Sequence, residues 1–358
     1  MQIDPALFEE NERTSPQSDT RKFIDVGELQ CEAGGLLPSV TVAFETWGEL
    51  TPARDNAILA CHALSGDSHA IGWWQRLIGP GKPIDTDRFF VIGTNSLGGC
   101  QGTTGPTSHA KDGRPYGSRF PFITVRDMVE VQKRLVGSLG IETLLAVAGG
   151  SMGGMQALEW TVRGSVKKAF ITASAAAHNA MQIAFNEAGR QAVMRDPRWR
   201  AGAYPLDDQP VDGLSVARML GHISFLSDAS FEAKFGRRLQ DKQSFDYTFG
   251  KEFQIESYLS YQGDKFTKRF DANSFLYLTR AIDYYDCRTL EASQTDYLFT
   301  SFTSDWIYPS YQSEGMHSMA LAAGCKSAHH VIDLPYGHDA FLLDGELQGE
   351  HVRSFLQG

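Results

Sequence analysis

Ser151 stands in the run Gly149-Gly150-Ser151-Met152-Gly153-Gly154, between the apolar stretch Leu144–Ala148 and the helix-like MQALEW. A serine between a buried strand and a helix start sits on a turn so sharp that its flanking positions must be tiny. That accounts for glycine at 149, 153 and 154. The turn lifts the hydroxyl clear of its strand, and the helix N-terminus favours negative charge beside it. Such a hydroxyl becomes a nucleophile when a histidine takes its proton and a carboxylate holds that histidine. In the strand–turn–helix version the acid and then the base follow the serine along the chain, each on a loop after a strand. Asp305 follows the apolar run Tyr297–Thr300, and His338 follows His329–Ile332. Ser151, Asp305 and His338 are therefore the expected nucleophile, acid and base. His62 and His69 precede Ser151, so their order is wrong. His329 and His330 fall inside a strand-like run and read as structural. Asp333 is a rival acid, but it lies only five residues before His338.

An acyl-transfer nucleophile needs donors for the oxyanion. One is the backbone N–H of the following residue, Met152; the other comes from the loop after an earlier strand. The run Ala57–Cys61 leads into His62-Ala63-Leu64-Ser65-Gly66-Asp67, and by position Leu64 supplies the second N–H.

The elements that must position these groups follow from periodicity. Ala57–Cys61, Phe89–Gly93, Leu144–Ala148, Ala169–Thr172, Tyr297–Thr300 and His329–Ile332 are short continuous apolar runs, the signature of strands buried on both faces of a parallel sheet. Gly27–Glu32 and Val40–Thr46 look like an antiparallel hairpin around Gly34-Gly35. Thr124–Leu139 is helical: Val125, Met128, Val129, Leu135, Val136 and Leu139 share a face, Thr124 and Asp127 form a capping box, and Gly140 is the stop. Alternating strands and helices around a serine elbow give an α/β-hydrolase fold, a mostly parallel sheet with an inserted helical lid. The lid spans 179–286, with helical patterns at Asn179–Arg195, Gly213–Leu226, Phe253–Phe270 and Ala272–Tyr285. The core is 21–178 and 287–358, and 1–20 reads as a flexible N-terminal tail.

Composition narrows the partners. The 358 residues carry a formal net charge of −10, which argues against a nucleic-acid or anionic-membrane binder. The five cysteines show no CxxC spacing, so reduced thiols and no metal site are expected. The N-terminus has no apolar signal-like region, and no run of about 18 apolar residues suggests a membrane span. A cytoplasmic enzyme is the expectation.

Longer strings add a resemblance. FETWGEL (44–50), HALSGDSHA (62–70), GWWQRLIGPGKPIDTDRFFVIGTNSLGGCQGTTGP (72–106), PYGSRFP (115–121), AGGSMGGMQALEW (148–160), ARMLGHISFLSD (217–228), SDWIYP (304–309) and YGHDAFL (336–342) stand in good order and spacing. Over about residues 24–355 the chain resembles homoserine O-acetyltransferases, methionine-pathway enzymes of the α/β-hydrolase fold. The resemblance implies acetyl-CoA as co-substrate with no bound cofactor, L-homoserine as acceptor, an acyl-serine intermediate, and a homodimer through the lid helices. It maps the family's triad onto Ser151, Asp305 and His338. It implies that Arg218 clamps the homoserine carboxylate and that Asp339 attracts its ammonium group. By residue type alone, Arg218 would read as a solvated or lid-packing arginine, and Asp339 as a solvated loop carboxylate. Phe225 stands where the family often has tyrosine, so a hydroxyl near the substrate is missing. GGCQGTTGP resembles the acetyl rather than the succinyl branch. A succinyltransferase acting on homoserine or serine, and an esterase or thioesterase using water, are the alternatives.

Overall fold

In the computed structural model, residues 20–290 and 294–358 are described. Apart from Thr20, the expected tail over 1–20 lies outside them. The apolar runs become one eight-stranded sheet. Its strands are β1 (Lys22–Asp25), β2 (Thr41–Trp47), β3 (Ala57–Cys61), β4 (Phe90–Thr94), β5 (Leu144–Gly150), β6 (Val166–Thr172), β7 (Asp296–Phe302) and β8 (Ser327–Ile332). Their spatial order is β1-β2-β4-β3-β5-β6-β7-β8. β1 and β2 run antiparallel to their neighbours, and β3 through β8 are mutually parallel.

The reason for continuous apolar runs is visible in β3. Ala57, Leu59 and Cys61 point into one core cluster, while Ile58 and Ala60 point into a second on the other face. Helices cover both faces, so every position of β3 is buried. Helix α1 (Val125–Ser138) has the Thr124–Asp127 capping box, with Gly140 at a φ of +72° behind it. Helix α2 (Met152–Arg163) follows Ser151 directly.

Two expectations are corrected. The proposed hairpin of Gly27–Glu32 with Val40–Thr46 does not form. Leu29–Gln30 pairs instead with Leu36–Leu37 across the Gly34-Gly35 turn, and β2 pairs with β1 and β4. The glycines do make a turn, but β2 finds its burial in the main sheet. The last run is also not buried on both faces: β8 is the sheet edge, and Ala328 and Val331 are exposed.

Between β6 and β7 lie α3 (Ala180–Arg195), α4 (Val211–Phe225), α5 (Asp228–Lys234), α6 (Gln254–Thr267) and α7 (Ala272–Tyr284). α4 packs between α3 and α6. The entering and leaving chains meet at an Ala177–Asp286 bridge, closing the base of this insertion. The short α5 had no evident sequence signal; Ser227 caps it by accepting the Ser230 N–H at 3.0 Å.

Candidate active site

Ser151 sits between β5 and α2 with φ +55° and ψ −126°. A non-glycine residue held there is strained, and the surroundings must over-determine it. Ser174 Oγ donates to the Ser151 carbonyl at 2.7 Å, and the Ser151 N–H faces the carbonyls of Thr172 and Ala173 at 3.2 Å. A Cβ on Gly153 would lie 2.0 Å from the Cys61 carbonyl oxygen, so the elbow and the loop after β3 can touch only if residue 153 is glycine. Their closeness follows from register: Cys61 pairs with Gly149, so the loops after β3 and β5 emerge side by side.

The expected acid and base, Asp305 and His338, come from the loops after β7 and β8. His338 Nδ1 lies 2.8 Å from Asp305 Oδ2, and both side chains are buried. Asp305 Oδ1 accepts the N–H groups of Ile307 at 3.1 Å and Tyr308 at 2.8 Å, which fixes the carboxylate. With Nδ1–H donated to Asp305, Nε2 is left to accept a proton. The imidazole is stacked on the Tyr308 ring (centroids 4.8 Å apart, planes at 20°) and walled by Phe341 and Phe225. Asp333, the rival acid, instead accepts from Thr303 Oγ1 at 2.7 Å. His329 lies 2.9 Å from Ser301 Oγ. His62 accepts the Ser96 N–H at Nε2 and donates Nδ1–H to the Ala63 carbonyl, so its ring holds the loop after β3; burial lowers its pKa. Buried Glu45 braces the far end of that loop, accepting from Ser68 Oγ at 2.9 Å and contacting His69 Nδ1 at 2.8 Å.

Leu64 lies on that loop beside the elbow. Met152 opens α2, where first-turn N–H groups have no intrahelical acceptor. Leu64, Ser151 and His338 line one cavity of about 650 Å³, together with Arg218, Phe225 and Asp339. Arg218 comes from α4 and Asp339 from the loop after β8, yet the fold brings both to the cavity that Ser151 lines.

Backbone contacts explain how. Gly337, at φ +71°, abuts the chain at Phe225–Ser227; a Cβ there would meet the Phe225 oxygen and the Ser227 nitrogen at 2.6 Å. Ser227 Oγ and Ser230 Oγ both donate to the Pro335 carbonyl, and Trp306 Nε1 donates to the Leu226 carbonyl at 3.0 Å. The end of α4 is thus stapled to the loops of both the acid and the base. The Arg218 guanidinium stacks 4.8 Å from the Phe266 ring and 5.7 Å from Phe225. Burial pushes the Asp339 carboxyl up to about 6, against the pull of His338 and Arg218.

Comparison with known proteins places this arrangement. The family model described as alpha/beta hydrolase fold matches residues 56–345. The chain is 50% identical over 358 aligned residues to the homoserine O-acetyltransferase of Methanosphaerula palustris, covering 95% of this chain and 73% of that protein. The chain belongs to the homoserine O-acetyltransferase family. Among solved structures, the homoserine O-acetyltransferase of Bacillus anthracis superposes with a TM-score of 0.87 at 27% identity, covering 94% of this chain and 97% of that one. Esterase E22 superposes at 0.86 with 30% identity, covering 94% and 99%.

For a homoserine O-acetyltransferase, three features of this cavity escaped the sequence reading. Lys265, Lys268 and Arg269 from the end of α6 line it, and Arg269 Nη1 donates to the Ser65 carbonyl at 2.8 Å. Tyr308 stacks on His338 and lines the cavity with Ser151. His178 lines the cavity from the lid's base. Lys265, Lys268, Arg269 and His178 carry no local motif and are recognisable only once the lid is folded over the elbow; Tyr308 lies within SDWIYP, but nothing in that string marks its ring as the one against His338. Among the described residues no helix is long and apolar enough to cross a membrane.

Proposed function

We propose that the protein moves an acetyl group from acetyl-CoA to the hydroxyl of L-homoserine, as a step of methionine biosynthesis. The observation that carries this reading is the opposite charge pair, Arg218 and Asp339, facing Ser151 and His338 in one cavity. An α-amino acid presents a carboxylate and an ammonium group to such a pair, and its side-chain hydroxyl is then left near the base.

The reaction runs in two halves. His338 Nε2 takes the Ser151 proton as the serine oxygen attacks the thioester carbonyl, and the oxyanion rests on the N–H groups of Met152 and Leu64. The C–S bond breaks, CoA leaves with the proton from His338, and Ser151 carries the acetyl group. His338 then takes the homoserine hydroxyl proton as that oxygen attacks the ester carbonyl. Ser151 leaves and regains its proton. Asp305 steadies the imidazolium each time. No resident cofactor takes part, and acetyl-CoA is a co-substrate. Lys265, Lys268 and Arg269 give an otherwise acidic protein a local cationic surface for the CoA phosphates. Water competes with homoserine, so the lid's cover over Ser151 favours transfer. A cytoplasmic homodimer joined through the lid helices completes the proposal; exposed Val216 and Ile223 on α4 support that contact.

Hydrolysis is the second reading, favoured by the likeness to esterase E22. A mass-spectrometric product assay decides between them. Acetyl-CoA or succinyl-CoA is supplied with homoserine, serine or no acceptor. O-acetylhomoserine and CoA as the main products, with an acetylated Ser151 peptide when the acceptor is withheld, are the expected result. Free acetate formed at the same rate with and without homoserine would establish an esterase instead.

A further inference from the structure

The turn that carries the Leu64 N–H is held by a buried histidine that the triad does not use. His62 is 2% exposed. The backbone N–H of Ser96, on the loop after β4, reaches its Nε2 at 2.9 Å, and its Nδ1 lies 2.6 Å from the Ala63 carbonyl oxygen. A backbone amide can only donate, so Nε2 must accept and the ring carries its proton on Nδ1. A second proton would have to go on Nε2, against the Ser96 N–H. Burial also favours the neutral ring. The fold therefore sets the tautomer, and Nδ1–H donates to the Ala63 carbonyl.

The Ala63 oxygen takes a second bond, from the Gly66 N–H at 2.9 Å, which closes the turn at 63–66. A Cβ on Gly66 would lie 2.7 Å from His62 Cβ, so the turn packs this closely on the histidine only with glycine there. The Ala63 oxygen and the Leu64 N–H belong to one planar trans peptide and point to opposite sides of it. Holding the oxygen with two donors therefore sets the direction of the N–H. The same two bonds polarise the peptide and make the N–H a stronger donor. Among the described residues, neither the Leu64 N–H nor the Met152 N–H has a hydrogen-bond acceptor. Leu64 lines the cavity with Ser151, whereas His62 does not reach it.

We infer that His62 is a positioning residue for the oxyanion hole: through the Ala63 carbonyl, its Nδ1–H aims the Leu64 N–H at the oxygen that becomes negative when Ser151 attacks. This rests on the proposed reaction, in which Ser151 is the nucleophile and Leu64 an oxyanion donor. His62 acts through one peptide alone. Its loss should weaken stabilisation of the oxyanion and leave homoserine recognition by Arg218 and Asp339 intact.

The test compares pre-steady-state bursts with p-nitrophenyl acetate and p-nitrophenyl thionoacetate. In both, the serine oxygen bonds to the acyl carbon and its proton passes to His338. The π pair moves to oxygen in one ester and to sulfur in the other, and p-nitrophenolate then leaves. Amide N–H groups bind a compact oxyanion better than a large sulfur anion, so a formed hole favours the oxo ester beyond its preference in the reaction with hydroxide. His62→Gln keeps an acceptor for the Ser96 N–H and removes the donor to Ala63. It is expected to slow the oxo burst about 10- to 100-fold, short of the loss of a whole oxyanion donor. It should also lower the oxo-over-thiono ratio and leave the homoserine KM unchanged. His62→Asn, whose amide N–H can reach the Ala63 carbonyl, should recover most of that ratio. If His62→Gln does not fold, Gly66→Ala displaces the ring instead and should lower the ratio in its place. A variant that keeps the wild-type ratio, or His62→Asn no better than His62→Gln, would overturn the inference. A wild-type burst with no oxo preference would overturn the oxyanion hole itself, and no wild-type burst at all the nucleophile; the inference falls with either.

Discussion

Arg218 and Asp339 face the cavity from different elements, and the proposed reaction gives each its own measurable demand on the acceptor. A guanidinium–carboxylate contact in such a partly desolvated pocket is worth roughly 1.5–3 kcal/mol. Arg218→Ala should therefore raise the homoserine KM about 10- to 100-fold, while acetylation of Ser151 by acetyl-CoA stays near the wild-type rate. Measuring the two half-reactions separately checks this. Arg218→Lys should recover little, since it loses both the fork geometry and the stacking on Phe266. Phe225→Tyr should be tolerated. Asp339 adds a pH dependence. Its carboxyl titrates at about 6, so the homoserine KM should rise as the pH falls through that value, with the p-nitrophenyl acetate burst amplitude unaffected by Asp339→Asn. The stability effect has the opposite sign to that of a salt-bridged acid. A carboxyl raised from 3.8 to about 6 is costly to ionise in the folded state, so it destabilises the fold increasingly from pH 4 to 6 and fully above. Asp339→Asn mimics the neutral acid and should stabilise the free enzyme by about 1–3 kcal/mol at pH 7, with the gain vanishing near pH 4 in denaturant titrations.

Among the elements, the short segment after α4 carries much of the connection between lid and core. Ser227 caps α5 and reaches the Pro335 carbonyl, close to His338 in the chain. Ser227→Ala loses the cap and that bond together and should cost about 1–2 kcal/mol in thermal or denaturant unfolding. The homoserine KM should rise more than the acylation rate falls, because Arg218 rides on α4 whereas Ser151 does not. Most elements were legible because their signals are local. The Thr124–Asp127 capping box, the continuous runs of β3 and β5, and the lid helices appear within about two residues of expectation, apart from a three-residue shortening of α6 at its C-terminal end. The N-terminal hairpin was misread because a turn signal says where the chain reverses, not which strand it pairs with. β2 pairs with β1 and β4 in the main sheet, where its side chains are buried, rather than with Leu29–Gln30.

At the scale of the whole molecule, a chain of net charge −10 gathers Arg218, Lys265, Lys268 and Arg269 around one cavity. The same lid exposes apolar side chains on its outer side, Val216 and Ile223 on α4 among them. If the lid helices join two copies, Val216→Glu combined with Ile223→Glu should yield a monomer by light scattering, with the Ser151 burst retained. A wild-type protein that is already monomeric at micromolar concentration would exclude this dimer.

The amino-acid sequence by itself determined the sheet, the elbow and the chain order in which Ser151, Asp305 and His338 are the candidate nucleophile, acid and base. These depend on local patterns: a strand buried on both faces must be apolar throughout, and a sharp strand-to-helix turn must be flanked by glycine. Chain order then leaves few candidates for the acid and base, and His338 does meet Asp305 at 2.8 Å. Only the tertiary structure decided what surrounds the serine. Arg218, Asp339, Arg269, Tyr308 and His178 come from segments far apart in the chain, and their types alone fit ordinary surface or core positions. They converge because Gly337 and Ser227 let the lid close against the loops of the acid and the base. Such contacts depend on packing between distant segments, and no periodicity or spacing in the chain encodes them.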